Sequence, residues 1–319
     1  MILTVTPTPV LHRRTHAGGP VNVGEVNSLV DVQVHPAGAG VSVANGLYVA
    51  GYLTKALFPA PEVSHYVRLI RLQGLPHEFV PTTAGVTTQV TVTDPNGVVT
   101  TFADPPMAMD TAQLAMLRDL TIRSAEEASW VALCGPLPKV ASAGWYVEVE
   151  RALRLYHPQA KILVAASGPG LTAVFRQLAA VNPDAVAIAA ADWEEHGGLD
   201  AGSVASAAKN ASPGSLREVL APAKPLLTNG VSEILITVSP RQAILITREG
   251  FILARSNRTG EVASHWRDFA VAGYLAAHDD GLTAQRRLTL AVAFASAQGD
   301  SPTPDLVDRK GIQLTEYPM

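Results

Sequence analysis

The sequence predicts an α/β fold in which a mostly parallel sheet is covered by helices on both faces. Three observations carry this expectation. Short apolar runs, many of them β-branched, recur along the chain and are each followed by turn residues or a helical period. Strands buried on both faces read as continuous apolar runs, which marks a parallel sheet between helices. The 319 residues are 47% hydrophobic and 16% charged, enough to bury a large core.

Strands are predicted at Ile2–Thr6, Thr54–Phe58, Trp130–Cys134, Lys161–Ala165, Ala185–Ala189 and Ile234–Val238. Helices are predicted between and after them, at Val43–Ala50, Glu62–Gln73, Thr111–Glu127, Ala141–Tyr156, Leu171–Val181, Ser215–Leu227 and Phe269–Ala277. Asp110 suits an N-cap, and Leu114, Leu117 and Leu120 give the helix it opens an apolar stripe that reads as core packing. One segment departs from this rhythm. Val86–Thr93 and Val98–Phe102 alternate apolar and polar residues around Asp94-Pro95-Asn96-Gly97, whose Asn-Gly is a strong hairpin signal. The stretch Pro20–His35 is also strand-like, and with the hairpin it predicts a small accessory sheet. The Ala/Gly/Ser-rich segment Gly197–Gly214 reads as an extended or variable connection. The whole, 1–319, is expected to be one domain with a β-lid contributed by about 12–36 and 84–104.

Composition narrows the function classes. A formal net charge of −4, from 24 Lys+Arg against 28 Asp+Glu without long like-charge runs, offers no footprint for nucleic acid. No apolar stretch reaches the roughly 20 residues needed to cross a bilayer, so no membrane partner is expected. The first residues read as a strand and lack the basic flank of a signal peptide, and the single Cys134 excludes an intramolecular disulfide. These features point to the cytoplasm.

The strongest local chemistry lies at Ser264-His265-Trp266-Arg267-Asp268, just before an apolar helical run. Asp268 there is either a plain helix cap or a general base, with Arg267 and the helix N-terminus holding an anion beside it. Gly38-Ala39-Gly40 is a tight turn at a helix start, and Ser167-Gly168-Pro169-Gly170 follows a strand where open α/β sheets bind ligands. For each, a simple turn with no ligand is the commoner explanation. Cys134, inside an apolar strand, reads as core. The nine histidines show no spacing typical of a zinc site, so no metal is expected; His12, His16 and His35 are the ones that could meet in space.

In order, the pieces resemble the phosphofructokinase-B, ribokinase-like carbohydrate kinases, and in particular the 1-phosphofructokinase and tagatose-6-phosphate kinase branch. MILTVTPTPVLHR is similar to the opening M-I-x-T-V-T-x-N-P-A-L-D, PAGAGVSVANGL to A-G-G-K-G-x-N-V-A-x-x-L, and CGPLP to S-G-S-L-P. VAASGPGL is similar to L-D-T-S-G-x-x-L, ITVSPRQAILIT to V-S-L-G-x-x-G-A-L-x-x, and ASHWRDFAVAGYL to T-V-G-A-G-D-x-x-V-A-G-F-L. The resemblance implies a three-layer fold with a β-lid, a homodimer joined through that lid, and phosphoryl transfer from ATP with Mg²⁺ to a sugar or sugar phosphate. Carried over residue by residue, it assigns Asp268 as the base and Gly38 and Gly40 to the sugar-binding turn. His12 replaces the family's sugar-holding Asp, and Ala39 and Ser42 replace its Lys and Asn. Thr88 and Ala103 replace the Arg and Asn of the lid, so fixed cationic donors for a sugar phosphate are lost. On the nucleotide side, Ala189-Ala190-Ala191 replaces K-P-N, Ser239 and Gln242 replace two glycines, and His265-Trp266-Arg267 replaces the anion-hole G-A-G. Bulky side chains hinder close approach of phosphate to the main chain. Phosphoryl transfer is therefore expected to be impaired or lost. Arg267 is the residue that could take over phosphate binding, and Trp266 could stack on a base or sugar. The alternative expectation is a pseudokinase that binds a metabolite or a protein.

Overall fold

A computed structural model describes residues 1–319 except 179, 298–301, 304–306 and 319. The chain opens with β1 (Ile2–Val5), β2 (Val10–Ala17), β3 (Leu29–Ala37), α1 (Ala39–Val49), β4 (Thr54–Ala60), α2 (His65–Gln73) and β5 (His77–Pro81). It continues through β6 (Thr87–Thr93), β7 (Val99–Ala103), α3 (Thr111–Ser124), β8 (Trp130–Gly135), α4 (Trp145–Tyr156), β9 (Lys161–Ala166), α5 (Gly168–Arg176) and β10 (Ala185–Ala189). Next come α6 (Ala190–Gly197), α7 (Ser203–Asn210), α8 (Pro213–Leu220), α9 (Ala223–Thr228), β11 (Glu233–Ser239), β12 (Gln242–Ile246) and β13 (Gly250–Ser256). The last elements are α10 (Trp266–Asp279), α11 (Ala284–Ala295) and β14 (Ile312–Pro318).

A ten-stranded sheet runs β14-β13-β12-β11-β10-β9-β8-β1-β4-β5. From β11 to β5 every neighbour pair is parallel, and β12, β13 and β14 add an antiparallel edge. The period-two alternation of a strand divides its side chains between two cores. Leu3, Val5, Val131, Leu133, Ile162, Val164, Val186, Ile188, Ile234 and Ile236 pack under α3–α5 and α7–α9. The intervening Ile2, Trp130, Ala132, Cys134, Leu163, Ala185, Ala187 and Leu235 pack under α1, α10 and α11. Half of this second set, Ala132, Cys134, Ala185 and Ala187, is small, which lets its helices lie close to the sheet. Gly273 in α10 continues the same logic, since a Cβ there would stand 2.5 Å from the Leu290 carbonyl oxygen of α11.

A second sheet of four strands, ordered β3-β2-β6-β7, stands over the carboxyl end of β1. Here β2 pairs antiparallel with β3 and parallel with β6, and β6 and β7 form the hairpin turned by Asn96-Gly97, with Gly97 at φ +79°.

Several helix ends differ from the sequence expectation for local reasons. α2 starts at His65 because the Ser64 side chain accepts from the Val67 N–H and caps it. Asp110 caps α3 in a full capping box with Gln113. α1 starts at Ala39, directly after Gly38, and α4 at Trp145 after Gly144. α5 spans Gly168–Arg176 rather than Leu171–Val181; Ala179 of that expected span lies outside the described residues. The expected helix Ser215–Leu227 is two, α8 and α9, separated at Pro222, which cannot continue a helix. Gly197–Gly214 is no extended connection. It contains α7, whose alanines favour helix more than the neighbouring glycines oppose it. In the accessory sheet only 29–35 of the Pro20–His35 stretch is strand, the strand β3 running on to Ala37, and its partner is the unanticipated β2.

Candidate functional site

The chain leaves β1 toward β4 on one side of the sheet and returns to β8 on the other, so β1 is the point where strand order reverses. Open α/β sheets bind ligands in the crevice outside the carboxyl ends of the strands at such a point. Three parts of the chain line it. α1 begins there on a close backbone approach: a Cβ on Gly40 would stand 2.5 Å from Thr6 Oγ1 and 2.9 Å from the Val5 carbonyl oxygen. Gly38, at φ +115°, has Thr6 and Pro9 within 3.0 Å of such a Cβ. These two glycines are thus required by packing against β1. The first turn of α10 supplies the second part, and the four-stranded sheet roofs the third side.

Asp268 sits in that first turn with 22% of its side chain exposed. Burial pushes its carboxyl up to about 7, against the downward pull of Ser42 from α1 and of the Arg267 guanidinium. Ser42 Oγ is nonetheless short of a regular hydrogen bond among the described residues, so it approaches the carboxylate without capping it. Asp268 also raises the thiol of Cys134, whose own burial is the larger cause, which places the carboxylate above the carboxyl end of β8. A carboxyl poised near neutrality in a half-covered crevice is suited to accept a proton.

The roof brings three imidazoles together above α10. His12 and His35 are paired directly across β2 and β3. His12 Nδ1 lies 3.2 Å from His35 Nε2 and 3.3 Å from His265 Nε2, and the His265 and His35 Nε2 atoms are 3.3 Å apart. Thr91 Oγ1 of β6 stands 2.9 Å from His12 Nε2. Burial, then the neighbouring His35, His12 and Arg14, hold His265 down to about 3. His16, anticipated as a companion of His12 and His35, is not in the group. Four residues along a strand span roughly 13 Å, and the irregularity between Arg14 and His16 pairs His16 with Val30. His265 takes that place, and sequence separation hides it. Thr91 was equally unforeseen, its signal being only the alternation of β6.

The remaining predicted positions spread along the crevice. Arg267 is exposed and stacks on Trp266, its guanidinium carbon 4.6 Å from the ring centroid. It also pulls down Asp192 of α6, whose carboxyl is raised by burial and by Glu195. Ser239 and Gln242 form the turn between β11 and β12, where Ser239 Oγ accepts from the Arg241 N–H. Arg241 in turn donates to the carbonyls of Arg258 and Gly260, fixing the loop before α10. On the lid, Thr88 is an odd number of residues from Thr91, so its side chain leaves the opposite face of the sheet, and Ala103 is exposed at the end of β7. Neither reaches the imidazoles. A cavity of about 220 Å³ is lined by Ser42, Asn45, His35, His265 and Phe269. Another of about 410 Å³ lies between Gly168, Arg176, Asp192 and Glu195 at the carboxyl ends of β9 and β10. A larger one, about 760 Å³ beside Glu233, Arg248 and Tyr317, opens at the other end of β11, away from Asp268.

This donor set does not match a metal-bound nucleotide triphosphate. Ala189, Ala190 and Ala191 present no polar side chain at the end of β10. Arg267 faces the carboxyls of Asp192 and Asp268, and His265 is drawn up into the imidazole group.

No protein-family signature matches the chain. It is 27% identical over 275 residues to a 1-phosphofructokinase of Rhodobacter capsulatus, covering 85% of this chain and 81% of the relative. It is 24% identical over 307 residues to a 1-phosphofructokinase of Haemophilus influenzae, covering 90% and 88%. Among solved structures, phosphofructokinase-2 of Escherichia coli in complex with fructose-6-phosphate superposes with a TM-score of 0.79 at 18% identity, covering 96% of this chain and 97% of that one. The crevice at β1, the roofing sheet and these likenesses give the chain a ribokinase-like fold. In sequence, the chain resembles the 1-phosphofructokinases among the phosphofructokinase-B type sugar-phosphate kinases. Among the described residues no helix is long and apolar enough to cross a membrane.

Proposed function

We propose that this chain is a sugar-phosphate kinase relative that keeps the catalytic carboxylate, Asp268, and has an impaired or lost transfer from MgATP. The observation that supports this is the first turn of α10. The base stands at neutral-range acidity beside Ser42, yet the turn that should receive phosphate carries His265, Trp266 and Arg267, with His265 committed to the lid imidazoles. One preorganised donor contributes about 100-fold or more in rate, so losing several removes most of the acceleration. The retained crevice suits a small polar ligand such as a sugar phosphate, with Arg267 as its cation; ATP and Mg²⁺ belong to the reading only if residual transfer persists. A binding role without catalysis follows where transfer is absent altogether. The lid favours pairing with a second copy, because Leu29, Val30 and Val32 on β3 and Val99 and Phe102 on β7 are exposed apolar residues on its edges.

The test is calorimetric titration with MgATP and MgADP, with turnover on fructose 1-phosphate measured beside an active 1-phosphofructokinase and an Asp268→Ala variant. The expected result is turnover at least about 100-fold below the active enzyme, with no nucleotide binding below the millimolar range. Micromolar MgATP binding and full turnover abolished in Asp268→Ala would overturn the proposal.

A further inference from the structure

We propose that His12, His35 and His265 form a binding site for a divalent cation of the zinc class, joining the lid sheet to α10. The inference does not rest on the kinase reading; it stands on the geometry of the three rings. Their facing nitrogens form a triangle with edges of 3.2, 3.3 and 3.3 Å. In a tetrahedral site with Zn–N bonds of about 2.0 Å, two ligand nitrogens stand about 3.3 Å apart. The triangle therefore has the dimensions of one face of a zinc tetrahedron, and all three ligand atoms fall within 4.8 Å of one another.

Ring orientation supports the same site. The interplanar angles are 87°, 75° and 89°, so the rings lie nearly perpendicular and do not stack, and the short nitrogen–nitrogen distances show the ring nitrogens converging. Outer contacts set the ring that matters most. His12 is only 4% exposed, and when its Nε2–H donates to Thr91 Oγ1 at 2.9 Å, Nδ1 is left with its lone pair toward the centre of the triangle. On the other side of His265, Nδ1 stands 3.9 Å from Asp268, placing a carboxylate behind a ligand ring, where metal sites commonly have one. Imidazole donors select zinc, cobalt, nickel or copper over magnesium or calcium.

Three protein ligands leave the fourth tetrahedral position for water or an anion. The cavity of about 220 Å³ lined by His35 and His265 gives small ligands access to it. Because the ligands come from β2, β3 and the start of α10, only the folded chain with its lid seated assembles the site. Bound metal would therefore hold the lid down on the catalytic helix.

The experiment uses the untagged full-length chain, stripped with a chelator, and Zn²⁺ or Co²⁺ alone as the probe. Expected are one bound Zn²⁺ per chain by calorimetry, a Zn²⁺-dependent rise in Tm, and the intense visible absorption of four-coordinate Co²⁺. His12→Ala should weaken binding more than 100-fold, and Thr91→Val, which removes only the outer contact, about 10- to 100-fold. Circular dichroism and the wild-type cobalt spectrum keep the test decisive should His12→Ala fold poorly. A folded wild-type protein that binds no Zn²⁺, a weak six-coordinate cobalt spectrum, or zinc affinity unchanged in folded His12→Ala would each overturn the site. MgATP titration of the same sample is independent, so failure of the nucleotide reading is seen separately.

Discussion

Glu150 gives the sharpest test of how this core is held together. It lies on the sheet-facing side of α4, has no exposed surface, and neither carboxylate oxygen finds a hydrogen-bond partner among the described residues. Burial pushes its pKa from an ordinary 4.5 up to about 7; Arg154 pulls it down less strongly, and Asp184 adds to the rise. The folded state thus prefers the protonated acid. Its contribution to stability is complete below the unfolded value of 4.5 and is lost as the pH rises through about 7. Taking about 1.4 kcal/mol per pKa unit, the swing across that window is about 3 kcal/mol, a sizeable part of a typical domain's stability.

The assay is urea denaturation of the wild type and Glu150→Gln at a series of pH values from 4.5 to 8. Gln leaves a buried amide, which lowers stability by an amount that does not depend on pH, whereas other titrating carboxylates cancel in the difference. The stability difference should therefore move by about 3 kcal/mol in favour of Glu150→Gln between the two ends of the range. Parallel curves would refute the reasoning, because they would mean that Glu150 is solvated or paired when ionised.

Two further substitutions test the frame around the site. Gly40→Ala would force a Cβ against Thr6 Oγ1 and the Val5 carbonyl; urea denaturation should show a loss of about 1–3 kcal/mol, and unchanged stability would mean that α1 can move off β1. Glu233 accepts from Tyr274 and Arg287 and pairs with His278; burial raises its pKa, but these partners prevail and hold it low. Glu233→Gln should cost about 3 kcal/mol in the same assay at neutral pH, by leaving the Arg287 charge without its carboxylate. The loss should shrink as acid protonates the wild-type carboxylate, while ligand affinities at the distant crevice stay as they are.

The alternating α/β plan was legible because its strands are buried on both faces and so appear as unbroken apolar runs such as Val131–Cys134 and Val186–Ala189. The hairpin at Asn96-Gly97 was legible from its turn chemistry. β2 was not, since VLHRRTHA lies in a sheet with one face over the crevice and carries charged and polar residues where a core strand would carry valines. Helices α8 and α9 look like one in the sequence because Pro222 follows an otherwise helical pattern. Asp268 could be placed at a helix start by local pattern alone, but its acidity is set first by burial, against the opposing pull of Ser42 and Arg267, and both the burial and Ser42, more than 200 residues away in sequence, come only with the fold. The imidazole group lay beyond sequence reasoning for the same reason. The β2–β3 register joins His12 to His35, and only the seating of the lid on α10 adds His265.

That seating also bears on how the altered motifs should be understood. The family that the sequence resembles carries aspartate where His12 stands and glycine where His265 stands, and taken one at a time these differences look independent. In the folded chain the two side chains face each other at 3.3 Å, with His35 closing the triangle and Thr91 fixing His12 from behind. A single buried imidazole without polar contacts would be costly, whereas together the four residues satisfy one another or a shared cation. The changes at the lid and at the first turn of α10 therefore act as one unit. The same unit places His265, at the start of the helix that carries Asp268, against the lid imidazoles, so the proposed weakening of phosphoryl transfer and the proposed cation site rest on one arrangement.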